Sequence, residues 1–167
     1  MVLVALGLPT GVRAQMDDQF AWGVTAGAVV PANDLAKDHT VGLNAGLTFG
    51  FGGVGQLLGI RIDGVVNQLS GKKSTDADAQ ILMGTLNLVM GVLGEGDRFY
   101  VTGGVGGYGI KPSKGGEKHN DFGLNGGVGL FIPGINGFIE ARYHHFYRAL
   151  ANKRPAIFIP ITVGVFF

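Results

Sequence analysis

The sequence predicts an all-β fold: an eight-stranded antiparallel up-and-down transmembrane β-barrel. Three observations lead there. Apolar residues recur at every second position in eight separate runs, each about ten to twelve residues long. Glycine supplies 31 of the 167 residues, which argues against a helical bundle, since a glycine in a helix interior costs about 1 kcal/mol relative to alanine. Charged residues, 15% of the chain, gather between the runs, with only four of them within.

The runs are read in order. Phe20, Trp22, Val24, Ala26, Ala28 and Val30 alternate with Ala21, Gly23, Thr25, Gly27 and Val29. Val41 to Phe51 sets Leu43, Ala45, Leu47 and Phe49 against Gly42, Asn44, Gly46, Thr48 and Gly50. Leu58, Ile60, Ile62 and Val66 oppose Gly59, Arg61, Asp63 and Asn67, and Leu82, Leu86, Leu88, Met90 and Val92 oppose Thr85, Asn87 and Gly91. Phe99, Val101 and Val105 oppose Tyr100, Thr102, Gly104, Gly106 and Tyr108. Phe122, Leu124, Val128, Leu130 and Ile132 oppose Gly123, Asn125, Gly127 and Gly129. Ile139, Ala141 and Tyr143 oppose Glu140, Arg142 and His144, and the odd positions from Ile157 to Phe167 oppose Phe158, Thr162, Gly164 and Phe166. Runs of this length suit strands that cross a bilayer at a tilt, whereas strands of soluble proteins are commonly half as long.

The connections alternate between short and long. Gly52 to Gln56, Leu93 to Arg98 and Pro133 to Gly137 are short, while Pro31 to Thr40, Ser70 to Gln80, Lys111 to Asp121 and Tyr147 to Arg154 are longer and polar. An up-and-down barrel with both termini on one side produces this alternation.

The polar alternate face decides between a membrane barrel and a soluble, lipocalin-like ligand-binding barrel, whose apolar face points inward. A water-facing exterior should be rich in lysine and glutamate. Here that face is glycine, threonine and asparagine, which suits the narrow interior of an eight-stranded barrel, so the apolar face is expected to meet lipid. The strand segments carry four charges, Arg61, Asp63, Glu140 and Arg142, two of each sign and each pair two residues apart. With His144 they are expected to form a polar network in the lumen, because an unpaired buried charge is very costly. Such a network either plugs the lumen or gates a narrow pore. Phe20, Trp22, Phe99 and Tyr143 fall near strand ends, where an aromatic girdle is expected.

A net charge of +1 points to no nucleic-acid partner, and the absence of cysteine excludes disulfides and thiolate metal sites. Val2 to Leu8 followed by Val12-Arg13-Ala14 reads as a signal peptide over residues 1–14 with a truncated basic n-region, leaving 15–167 as the barrel. No segment reaches about 18 uninterrupted apolar residues, so no transmembrane helix is expected.

The segments Tyr100 to Ile110 (YVTGGVGGYGI), Phe122 to Ile132 (FGLNGGVGLFI), Gly137 to Phe146 (GFIEARYHHF) and Ile159 to Phe167 (IPITVGVFF) resemble the small outer-membrane β-barrel domain family that includes OmpX, the opacity proteins and the transmembrane domain of OmpA. The resemblance runs from Gln19 to Phe167. It implies a bacterial outer-membrane location with both termini periplasmic, and a terminal phenylalanine, Phe167, read by the barrel-assembly machinery. The family is functionally mixed, so the resemblance bears on location more than on role.

Other motifs carry less. Gly50, Gly52, Gly55 and Gly104, Gly106, Gly109 match G-x-G-x-x-G, but no helix opens after the second, and chance matches are expected in so glycine-rich a chain. His144 and His145 are adjacent and point to opposite faces of a strand, so they cannot share a metal, and His39 and His119 are expected in loops. Ser70, Ser74 and Ser113 lie at loops or strand ends, which leaves a rim nucleophile for lipid chemistry as a minor alternative. Lys72, Lys73, Lys111, Lys114 and Lys118 would project where anionic lipopolysaccharide lies. The reading is a non-enzymatic monomeric barrel without cofactor or metal, in contact with outer-membrane lipid and lipopolysaccharide, with a structural or surface-contact role in the envelope.

Overall fold

The computed structural model describes residues 20–52, 58–72, 78–91, 98–112, 119–147 and 155–167. The signal-peptide reading of residues 1–14 falls outside them, as do Lys73, Ser74, Ser113, Lys114 and Lys118. Eight strands form: β1 (Phe20–Ala32), β2 (Gly42–Phe51), β3 (Leu58–Leu69), β4 (Ala79–Gly91), β5 (Phe99–Pro112), β6 (His119–Ile132), β7 (Gly137–Phe146) and β8 (Ala156–Phe166). Each pairs antiparallel with its neighbours in sequence, and β8 returns to β1, closing the barrel in the order β1 to β8. Closure leaves no sheet edge, so each strand has a ladder partner on both sides.

The faces fall as the alternation predicts. Leu43, Ile60, Leu82, Leu88, Val128 and Val163 are among the many large apolar residues exposed on the outer wall. Arg61, Asp63, Asn67, Thr85, Asn87 and His144 are buried within. The inverted, lipocalin-like arrangement is therefore not the one adopted. A monomeric water-soluble protein rarely shows a contiguous apolar surface of this extent; the exterior is suited to hydrocarbon.

Three local expectations change. Strands β5 and β6 run further than predicted, because Lys111 pairs with Gln80 and Ile110 with His119. The polar loop expected over Lys111 to Asp121 shrinks accordingly, and His119 lies in a strand and not in a loop. The loop over Pro31 to Thr40 contains a short helix, α1 (Leu35–Asp38). The short connection after β6 is a 3-10 turn, Pro133–Ile135, closed by Asn136 in the left-handed region at φ 47°, a conformation that asparagine tolerates better than most residues.

Glycine serves two ends in the wall. At Gly104 a Cβ would run into the Leu86 carbonyl oxygen and the Asn87 side chain. At Gly84, on the outer face, a Cβ would meet nothing within 4 Å. Gly104→Ala is therefore expected to cost about 1–3 kcal/mol by overpacking, while Gly84→Ala stays within about 0.5 kcal/mol. Urea unfolding of the two variants in lipid vesicles checks the difference.

Candidate functional site: a closed lumen

In the ring of eight, β3 and β7 lie opposite one another, and the two charge pairs meet across the lumen. Arg61 Nη2 donates to Glu140 Oε2 at 2.6 Å, and Arg61 Nε reaches Asp63 Oδ1 at 3.2 Å. Arg142 Nη1 donates to Asp63 Oδ2 at 2.9 Å, and Arg142 Nε to Glu140 Oε1 at 2.9 Å, with a second bond from Nη2 to the same oxygen. Each guanidinium thus bonds both carboxylates, and each carboxylate bonds both guanidiniums. All four side chains are nearly inaccessible. Alternation on each strand aims members of a pair inward together; closure of the barrel brings the two pairs into contact.

The neighbouring wall completes the arrangement. Asn87 Nδ2 donates to Asp63 Oδ2 at 2.8 Å and to Thr85 Oγ1 at 2.9 Å. On the short-turn side, the Arg61 guanidinium carbon lies 5.3 Å from the Phe138 ring centroid and 5.9 Å from that of Tyr100, within cation–π range. Phe138 packs against Phe166 at 5.3 Å between centroids. Aromatic rings therefore floor the charged layer.

His144 departs from the expected network. It faces the lumen, but its Nδ1 pairs with the Tyr108 hydroxyl at 2.8 Å, and its ring stacks on Phe158 at 4.8 Å. Tyr108 in turn stacks on Phe146 at 4.8 Å. These rings belong to an apolar cluster that fills the long-loop half of the lumen, with Val29, Val65, Leu69, Ile81, Met83 and Ile110. Leu35 of α1 inserts into this cluster from above. The helix is held by the neighbouring loop: Lys72 Nζ donates to the Ala36 carbonyl at 2.5 Å, and the Lys72 amide to the Asp38 carbonyl at 2.9 Å. The interior is thus glycine, threonine and asparagine only in part, and its outer half is an apolar seal.

The girdle residues are placed unequally. Phe20 packs against Phe49 and Phe51, Trp22 against Phe167 at 5.0 Å, and Phe99 begins β5, all at the short-turn end. Tyr143 lies inside β7 and starts an outward ladder through His145 to Tyr147, which climbs toward the opposite rim. The Phe167 amide donates to the Trp22 carbonyl, so the first and last described strands meet at the short-turn end.

A closed ring of eight up-and-down strands, with an apolar exterior and a filled interior, defines the fold class as an eight-stranded β-barrel of the transmembrane type. Solved structures of several proteins share this fold. Ail, the attachment invasion locus protein of Yersinia pestis, aligns over 91% of this chain and 100% of its own with a TM-score of 0.58 and 16% identity; it has also been solved in complex with a heparin analogue, sucrose octasulfate. Neisserial surface protein A covers 89% of this chain and 97% of its own (TM-score 0.55, 14% identity). OprG from Pseudomonas aeruginosa covers 90% and 97% (TM-score 0.52, 15% identity). No family model and no curated protein sequence matches the chain.

Proposed function

We propose that the chain is a non-enzymatic protein of the bacterial outer membrane. Its barrel is a sealed, monomeric support that holds polar loops at the cell surface for contact with lipopolysaccharide and other polyanions. Both termini face the periplasm in this reading. The observation that carries it is the filled lumen: an aromatic floor, a neutral four-charge layer and an apolar plug follow one another along the axis. An interior packed in this way gives solute no continuous aqueous path, so the useful surface is the outside and the loops.

Two further observations support the surface role. Lys72 and Lys111 are exposed at the long-loop end, where anionic head groups and sugars lie. The fold is shared with Ail, a protein solved in complex with the heparin analogue sucrose octasulfate, and that likeness supports a polyanion as the kind of partner proposed here. Phe167, outward-facing and packed on Trp22, is the proposed contact for the barrel-assembly machinery.

Refolded into lipid vesicles, the chain is expected to migrate faster unheated than boiled on a denaturing gel, with added protease cutting only in loops. A chain that remains soluble and monomeric without detergent would sink the membrane reading.

A further inference from the structure

Four inward positions stand side by side across the wall: Asn87 on β4, Gly104 on β5, Asn125 on β6 and His144 on β7. The three polar members are 1%, 8% and 0% exposed, so each is more than nine-tenths buried. Among the described residues, Asn87 Oδ1, both amide atoms of Asn125 and His144 Nε2 have no hydrogen-bond partner. The hydroxyl of Thr102, two residues before Gly104 on β5, is buried and unpartnered as well. A buried polar group that leaves water without gaining a bond is costly, and native proteins rarely leave several together.

The other ends of these side chains are fixed. Asn87 Nδ2 is committed to Asp63 and Thr85. Its Oδ1 lies over Gly104, where an added Cβ would come within 2.4 Å of it. His144 Nδ1 is held by the Tyr108 hydroxyl, and Asn125 stands beside that hydroxyl without a hydrogen bond of its own. An acceptor from β4 and an amide from β6 therefore flank the bare Gly104 backbone and do not bond each other. Their strands have one strand between them and lie about 10 Å apart at the backbone, a span that suits a bridging molecule. Amides and a hydroxyl ask for something small that both donates and accepts. A larger guest has no entry, because aromatic rings close one end of the lumen and the apolar cluster closes the other.

We infer that the lumen contains a built water site: one long-lived water over Gly104, accepting from the Asn125 amide and donating to Asn87 Oδ1, with the Thr102 hydroxyl as its third partner. Three polar partners are what a buried water typically takes. The water joins the charged layer, through Asn87 and Asp63, to the Asn125 side of the Tyr108–His144 pair. Charged layer and apolar seal are then one bonded unit. The inference needs the closed lumen and not the surface role, and a water held in this way opens no path for solute.

Nuclear magnetic resonance of the full chain refolded in detergent micelles tests this, through NOE and ROE transfer from water. The wild type is expected to show cross-peaks from water to the Asn125 side-chain amide and to the Gly104 α-protons, with the opposite NOE and ROE signs of a bound molecule. Asn125→Leu, which removes the amide and fills its place, should abolish the Gly104 peak while the heat-shifted band remains. If that variant does not fold, Asn125→Val removes the same amide in less volume and should give the same loss. A folded wild type with no water peak at the Asn125 amide would overturn the site, as would a Gly104 peak that survives in a folded Asn125 variant. Water peaks running on through Ile81 and Phe138 would mean an open path, and would overturn the sealed lumen together with the site.

Discussion

Glu140→Ala is expected to destabilise the barrel by about 3–5 kcal/mol without making it conduct. Glu140 accepts from both Arg61 and Arg142. Its removal leaves two guanidiniums facing one carboxylate, Asp63, in a layer that water does not reach. The cost is that of an uncompensated buried charge, which is larger than the net worth of the intact network. The same logic predicts that replacing Arg61, Asp63, Glu140 and Arg142 together with apolar residues of similar volume recovers most of the loss. Urea unfolding in vesicles, followed by the fluorescence of Trp22, the only tryptophan, measures both. Conductance decides the role of the layer. The aromatic floor and the apolar seal contain none of the four residues, so opening the charged layer alone leaves the lumen shut. A silent wild type that conducts after Glu140→Ala would establish the gated-pore reading in place of the plug.

Leu86→Arg is expected to cost about 2–4 kcal/mol, through the exterior and not the lumen. Leu86 faces outward on β4, pairs with Ile62 and Val105 on its two sides, and lies between the polar rim at Gln80 and the strand end at Gly91. A guanidinium there meets hydrocarbon near its middle. The outcome is a lower midpoint of urea unfolding and a smaller fraction of heat-shifted protein. A variant as stable as wild type would mean that this wall does not face lipid.

The alternation was legible because a strand turns each side chain to the opposite face of its predecessor. Arg61 with Asp63, and Glu140 with Arg142, could be placed on inner faces by counting in twos. That the two pairs would meet was hidden, since it depends on β3 and β7 standing opposite in a closed ring of eight. The apolar seal was hidden for another reason. Counting in twos puts Val66 and Leu82 outside, but Val65 and Ile81 beside them are apolar too, so nothing polar marks them as lumen residues. The structure shows Val65 and Ile81 buried and Val66 and Leu82 exposed. His144 lies on the inner register of β7, but its partner Tyr108 comes from β5, too far along the chain for local pattern to join them. The four residues of α1 are too few to show helical periodicity, so the Leu35 anchor looked like loop.

Single-channel recording in a planar bilayer, on protein whose insertion is verified by its heat-shifted mobility, tests the central claim most directly. A sealed lumen predicts a silent barrel at every applied voltage. Discrete conductance steps from the wild-type chain would contradict it and would make the four-charge layer the first place to look for a path.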